Sequence, residues 1–133
     1  MKVLEINSKD LEHNINKIKE RAGKSKVIAV VKGNGYGLGL IEFSSFLINK
    51  GIDYLAVSSV EEALELKSSN LEATVLCLSE TPDAIELEEL LDKDIIITIG
   101  NYKIARKLNE IAISKNKKAH VHLKIDTGFS RYG

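Results

Sequence analysis

Five short apolar runs rich in β-branched residues recur along this chain, and their regular spacing constrains its fold more than any other feature. Val27–Val31, "DYLAV" (53–57), "ATVLCL" (73–78), Ile95–Ile99 and "AHVHLKI" (119–125) return every ~20 to 27 residues, the pitch of a simple βα repeat. The stretches between them carry helical signals. Ser8 is placed to cap a helix whose apolar positions Leu11, Ile15 and Ile18 share one stripe, and Gly23 to end it. "LIEFSSFLINK" reads as a helix that stops at Gly51, and Ser59 with Glu62 forms a capping-box pattern before another. Thr81 as cap with Pro82 at the first helical position opens "PDAIELEELL", and Asn101 caps a helix carrying Ile104, Leu108 and Ile111. Most of the runs are apolar on both faces, as in a parallel sheet covered on both sides. Regular repetition, with no long crossover or switch point, favours an α/β fold of the β/α (TIM-type) barrel kind over a doubly wound sheet. Such a barrel closes with eight strands, and about five βα units are present. The expectation is an incomplete barrel: residues 1–133 form the amino-terminal part of a longer chain, with no internal linker.

Composition narrows the partners. Nineteen basic side chains balance nineteen acidic ones, so no net field draws the chain to nucleic acid or to an anionic membrane. A small molecule or another protein is the expected partner. The single cysteine, Cys77, excludes an internal disulfide and suits a reducing compartment. The amino terminus lacks the apolar core of a signal peptide and no apolar stretch reaches membrane-spanning length. The expected location is the cytoplasm.

The first apolar run ends on a lysine and breaks into alternating glycines: "VIAVVKGNGYGLGL", Val27 to Leu40. The glycine spacing fits neither nucleotide fingerprint. Leu38 and Leu40 stand where the dinucleotide pattern needs glycine, and no Gly-Lys-Ser/Thr follows. What remains is Lys32 at the carboxyl end of a barrel strand, the end where such barrels gather catalytic groups. Beside it is backbone that can approach a ligand closely. A lysine amine there suits imine formation with an aldehyde. An exposed lysine before a flexible turn gives the same pattern, so the residues alone leave both readings open.

Two motifs carry a resemblance. "AVVKGNGYGLG" (29–39) resembles the pyridoxal-phosphate lysine signature of the alanine racemases, and "LKIDTGFSRYG" (123–133) resembles their second signature, in the right order. The resemblance implies that Lys32 bears pyridoxal 5'-phosphate as an internal aldimine and serves as one of two proton-transfer bases. It implies that Tyr36, one helical turn on, gives its hydroxyl to the cofactor phosphate. Arg131 would approach the cofactor's phenolic oxygen and the substrate carboxylate, a task that suits a guanidinium fork. Lys124 matches a lysine that many members carbamylate and pair with that arginine, and Asp126, Thr127 and Gly128 shape the turn between them. Leu38, Phe129, Ser130 and Tyr132 depart from the family pattern without removing a reacting group.

The implied activity is interconversion of L- and D-alanine by a homodimeric enzyme that supplies D-alanine for the cell wall. The second base in the family is a tyrosine of the partner subunit's carboxyl-terminal domain, and none of Tyr36, Tyr54, Tyr102 and Tyr132 matches it. The chain alone is therefore expected to be inactive. Three alternatives stand beside this reading: a racemase for serine or another small amino acid, a non-catalytic pyridoxal-phosphate homeostasis protein, and an assembly module without a ligand. The "KIDTGFSRYG" pattern argues against the homeostasis protein.

The last run bears on the same point. Ala119, Val121, Leu123 and Ile125 fall on one face of the strand, and His120, His122, Lys124 and Asp126 on the other. A polar row inside a barrel suits a charged cofactor; a solvated edge strand would show the same alternation. His120 and His122 lack a third ligand at matching spacing, so no metal is expected, and His13 reads as solvated. An open barrel exposes sheet edges, so self-association is expected.

Overall fold

The computed structural model describes residues 3–131 and 133; Tyr132 lies outside the described residues. Five parallel strands form one sheet in the order β1 (Ala29–Val30), β2 (Tyr54–Val57), β3 (Thr74–Cys77), β4 (Ile96–Ile99) and β5 (Val121–Leu123). Each strand pairs with its neighbours in sequence and none is skipped. That is the order of a barrel wall, and it lacks the reversal that defines a doubly wound sheet.

Register explains how the two faces differ. Val30, Ala56, Leu76 and Ile96 lie side by side across β1 to β4, and Thr98 pairs with His122 on the same side. The opposite face carries Leu55, Val57, Val75, Cys77, Ile97 and Ile99. These bury against Leu47, Ala63, Leu66, Leu87, Leu90 and Leu108 from the helices. The main core therefore lies between sheet and helices. On the first face Tyr54 reaches across two strands, and a 3.0 Å hydrogen bond joins its hydroxyl to His122 Nε2. The Cys77 thiol is buried, and burial raises its pKa.

The helices are α1 (Ser8–Ala22), α2 (Lys32–Tyr36), α3 (Leu40–Asn49), α4 (Val60–Ser68), α5 (Ala84–Asp92) and α6 (Tyr102–Ser114). Most boundaries follow the sequence signals, with instructive exceptions. The cap of α1 is Asn7 rather than Ser8: Asn7 Oδ1 accepts from the Lys9 and Asp10 amides. Gly23 ends this helix as expected, at φ 58°. Ile15 is buried, but Ile18 is exposed, so the apolar stripe is narrower than its spacing suggests. The cap of α5 is Asp83, not Thr81, because Asp83 Oδ1 accepts from Ile85 and Glu86. Thr81 instead accepts the Asp83 amide and bonds Glu86, and both it and Pro82, expected at the first helical position, precede the cap, since α5 begins at Ala84. Asn101 caps α6 by accepting the Ile104 amide at 3.0 Å. No described helix is long and apolar enough to cross a membrane.

Candidate active site

Strand pairing continues past the formal strand ends and sets the site. The Val31 amide donates to Ala56 O, Leu78 to Val57 O and Lys124 to Ile99 O, at 2.8, 2.8 and 2.9 Å. Each bond carries the ladder to the carboxyl edge of the sheet, where Lys32, Ser58, Leu78, Ser79 and Lys124 emerge. Together with Arg131 they line one cavity of about 320 Å³. Three of the predicted residues thus converge from opposite ends of the chain: Lys32 after β1, and Lys124 and Arg131 after β5. Tyr36 does not line this cavity and is 64% exposed.

Three of the six lining side chains are basic, two are serines, and none is acidic. Such a donor set suits an anion, and arginine and lysine are the residues best fitted to phosphate, phenolate and carboxylate oxygens. The Ser79 hydroxyl donates to Ser58 O, tying the ends of β2 and β3 together beneath the lysines. Among the described residues no group of His, Cys, Asp and Glu is arranged to hold a metal ion.

The backbone after Lys32 winds the wrong way for L-residues. Gly33, Asn34 and Gly35 have φ/ψ of 63/48°, 54/48° and 63/34°, Tyr36 has φ 55°, and Gly37 follows at φ 90°. The segment is one turn of left-handed helix, so Tyr36 stands one turn on from Lys32 with the opposite hand to an α-helix. A left-handed residue other than glycine costs about 1–2 kcal/mol. Glycine at 33 and 35, and asparagine, the next most tolerant residue, at 34, are therefore what this path requires. Gly35 is buried, and a Cβ there would meet Phe43 Cβ at 3.4 Å.

Side chains brace this turn. Asn34 Oδ1 accepts the Leu40 amide at 2.8 Å, starting α3, and the Asn34 amide donates to Glu62 Oε1 at 2.9 Å. Glu62 is the capping-box residue of α4, and Ser59 accepts its amide at 3.2 Å as that motif predicts. Its carboxylate goes to the turn after Lys32.

The carboxyl-terminal motif forms its own turn. Asp126 Oδ1 accepts the amides of Gly128 (2.9 Å) and Ser130 (3.0 Å), and these bonds hold its carboxyl below the ordinary range. The Arg131 guanidinium sits over the Phe129 ring, 5.0 Å from its centroid, a cation–π arrangement. Phe129 at a methionine position thus has a structural use. Leu38, at the usual histidine position, lines an apolar groove with Ile6, Leu11, Phe43 and Phe46.

The sequence reading missed Ser58, Leu78, Ser79 and Glu62. Ser58 and Ser79 directly follow apolar runs and Leu78 ends one, so the rule that barrel sites gather at strand ends identifies them. Glu62 carries no such signal, because its partner is a backbone amide 28 residues away.

Comparison with known proteins identifies the family. Residues 6–133 match the family model described as "Alanine racemase, N-terminal domain". Alanine racemase 2 of Caldanaerobacter subterraneus subsp. tengcongensis is 44% identical over 131 residues, covering 98% of this chain and 34% of that protein. The solved alanine racemase of Clostridium difficile 630 superposes with a TM-score of 0.87 at 36% identity, over 94% of this chain and 33% of the other. A histidine racemase from Leuconostoc mesenteroides superposes at 0.85 with 26% identity, over 95% of this chain and 34% of its own. The chain spans about a third of the length of each of these relatives. With its strand order, its lysine signature and its arginine-bearing turn, the chain belongs to the alanine racemase amino-terminal domain family.

Proposed function

We propose that this chain is the cofactor-binding amino-terminal part of a pyridoxal 5'-phosphate-dependent amino acid racemase, with alanine as its substrate. The observation that carries this reading is the convergence of Lys32, Lys124 and Arg131 on one cavity without an acid. Pyridoxal phosphate combines an aldehyde with anionic oxygens, and the donor set fits it: an amine for the aldehyde, cations and serines for the oxygens. When bound, the cofactor supplies an electron sink for charge developing at the substrate α-carbon.

The residues have distinct tasks. Lys32 would hold the cofactor through its amine, and the same amine would take or return the proton at the substrate α-carbon from one side. Arg131 would orient the substrate carboxylate and serve the cofactor's phenolic oxygen; its fork of donors, steadied over Phe129, suits direction as well as charge. Lys124 lines the same cavity, as a carbamylated lysine paired with Arg131 would need to. Tyr36, exposed on the left-handed turn outside the cavity lining, would offer its hydroxyl to the phosphate. The base on the opposite side of the α-carbon comes from the carboxyl-terminal domain of a partner subunit, and the working enzyme is a cytoplasmic homodimer. Alanine is the substrate named by most of the relatives. The histidine racemase likeness supports a second reading, a racemase for another amino acid on the same barrel segment.

Borohydride reduction with pyridoxal phosphate, followed by peptide mass mapping, tests the reading. A covalent label concentrated at Lys32 and lost in Lys32→Ala supports it. Label spread over surface lysines, unchanged by that substitution, removes the assignment of Lys32.

A further inference from the structure

We infer that Glu62 is a positioning residue for Lys32, acting through the left-handed turn; the inference rests on the reading of Lys32 as the cofactor-bearing residue. Two local preferences are overridden at this point. The turn adopts a backbone hand that L-residues disfavour, at Asn34 and Tyr36 as well as at the glycines. The Glu62 carboxylate, which in a capping box bonds the cap residue's own amide, accepts the Asn34 amide instead.

The bonds on Asn34 show why the two belong together. Its amide goes to Glu62, its carbonyl accepts the amides of Gly37 and Gly39 at 3.0 Å each, and its side chain caps α3. Within this turn Glu62 is the side chain brought in from another helix, and it joins α4 to the segment that begins with Lys32. The other end of that segment is fixed by the Val31 amide on Ala56 O. Lys32 is thus held between the sheet and a turn that its own backbone bonds close and that one carboxylate oxygen ties to α4. An amine held this way reacts from a fixed place, which is the basis of proximity and orientation effects.

The test uses this chain, pyridoxal phosphate and borohydride, and reads the label at Lys32 relative to the label at the exposed Lys103. Glu62→Met keeps length and helix propensity but removes the accepting oxygen, whereas Glu62→Gln keeps that oxygen. Glu62→Met is expected to lower the Lys32 ratio roughly ten-fold, and Glu62→Gln to retain most of it. Amide exchange, followed in parallel, is expected to quicken across residues 33–37 in Glu62→Met and to stay unchanged in β2 and β3. Should Glu62→Met fail to fold, Glu62→Ala serves as the second variant without an acceptor. A wild-type ratio in Glu62→Met or Glu62→Ala overturns the inference, as does equal loss in the Gln variant. Wild-type protein without preference for Lys32 removes the cofactor reading and this inference with it, and so distinguishes the two failures.

Discussion

Ser44 lies on α3 with no exposed surface, and its hydroxyl is a buried polar group without a hydrogen-bond partner among the described residues. Burying such a group carries a desolvation cost of about 1–3 kcal/mol when nothing compensates it. Alanine also forms helix more readily than serine. Ser44→Ala is therefore expected to stabilise the chain by about 1 kcal/mol, an increase in melting temperature of roughly 3 to 5 °C. Thermal denaturation followed by circular dichroism measures this directly. A fall of similar size would mean that the hydroxyl has a partner in solution and that α3 depends on it. Thr98, also buried on the sheet, is the internal contrast: its Oγ1 donates to Cys77 O at 2.7 Å. Thr98→Val would leave that carbonyl short of a donor, so the two hydroxyls differ in sign of effect although both are buried.

The turn after β5 shows how one carboxylate organises an element. Asp126 accepts the Ser130 and Gly128 amides, and both bonds favour its charged form. Its folded pKa therefore lies below the unfolded value of about 3.9. The folded turn binds the proton less readily than the unfolded one, so the stabilisation is complete above about pH 4 and is lost as the pH falls through the depressed folded value. Amide resonances of Gly128 and Ser130 should titrate together with a midpoint below 3.9, and Asp126→Ala should abolish that step. A midpoint at or above 3.9 would contradict the hydrogen bonds. The turn itself was implied by the family resemblance, and the bonds that make it, from amides two and four residues on, are local enough to be read in sequence. The βα alternation was legible for the same reason: caps such as Ser59 and Asn101 act within three residues. What escaped the sequence were choices between adjacent candidates, Asn7 over Ser8 and Asp83 over Thr81, and the handedness after Lys32. Three glycines permit a left-handed path without requiring it. Its bracing comes in part from Glu62, whose bond to Asn34 spans 28 residues and forms only once α4 packs on β2 and β3. The convergence of Lys32 and Arg131 is likewise a property of the sheet order rather than of either motif.

At the scale of the whole molecule, the sheet formed by the described residues has two edges, β1 paired with β2 alone and β5 with β4 alone among those residues. The β5 edge is also apolar on its helix-side face. Val121 is 42% exposed and Leu123 74%, and with Ile99, Leu108, Ala112 and Ala119 they line a groove of about 420 Å³ beside α6. Open strand edges next to apolar surface are sites of intermolecular pairing, because both unpaired backbone groups and hydrophobic area are offered together. In a solution of this chain alone, the partner available to such an edge is another copy. Mass measured by light scattering should therefore rise with concentration. Leu123→Lys should reduce the rise, since a lysine on an edge strand blunts pairing while its stem still covers the groove. The substitution lies on the helix-side face, whereas Lys124 faces the cavity, so labelling at Lys32 should survive it. Monomeric mass at all concentrations would show that the β5 edge is not adhesive. A concentration-dependent mass unchanged by Leu123→Lys would move the association to the β1 edge, where Ile28 and Val30 are partly exposed.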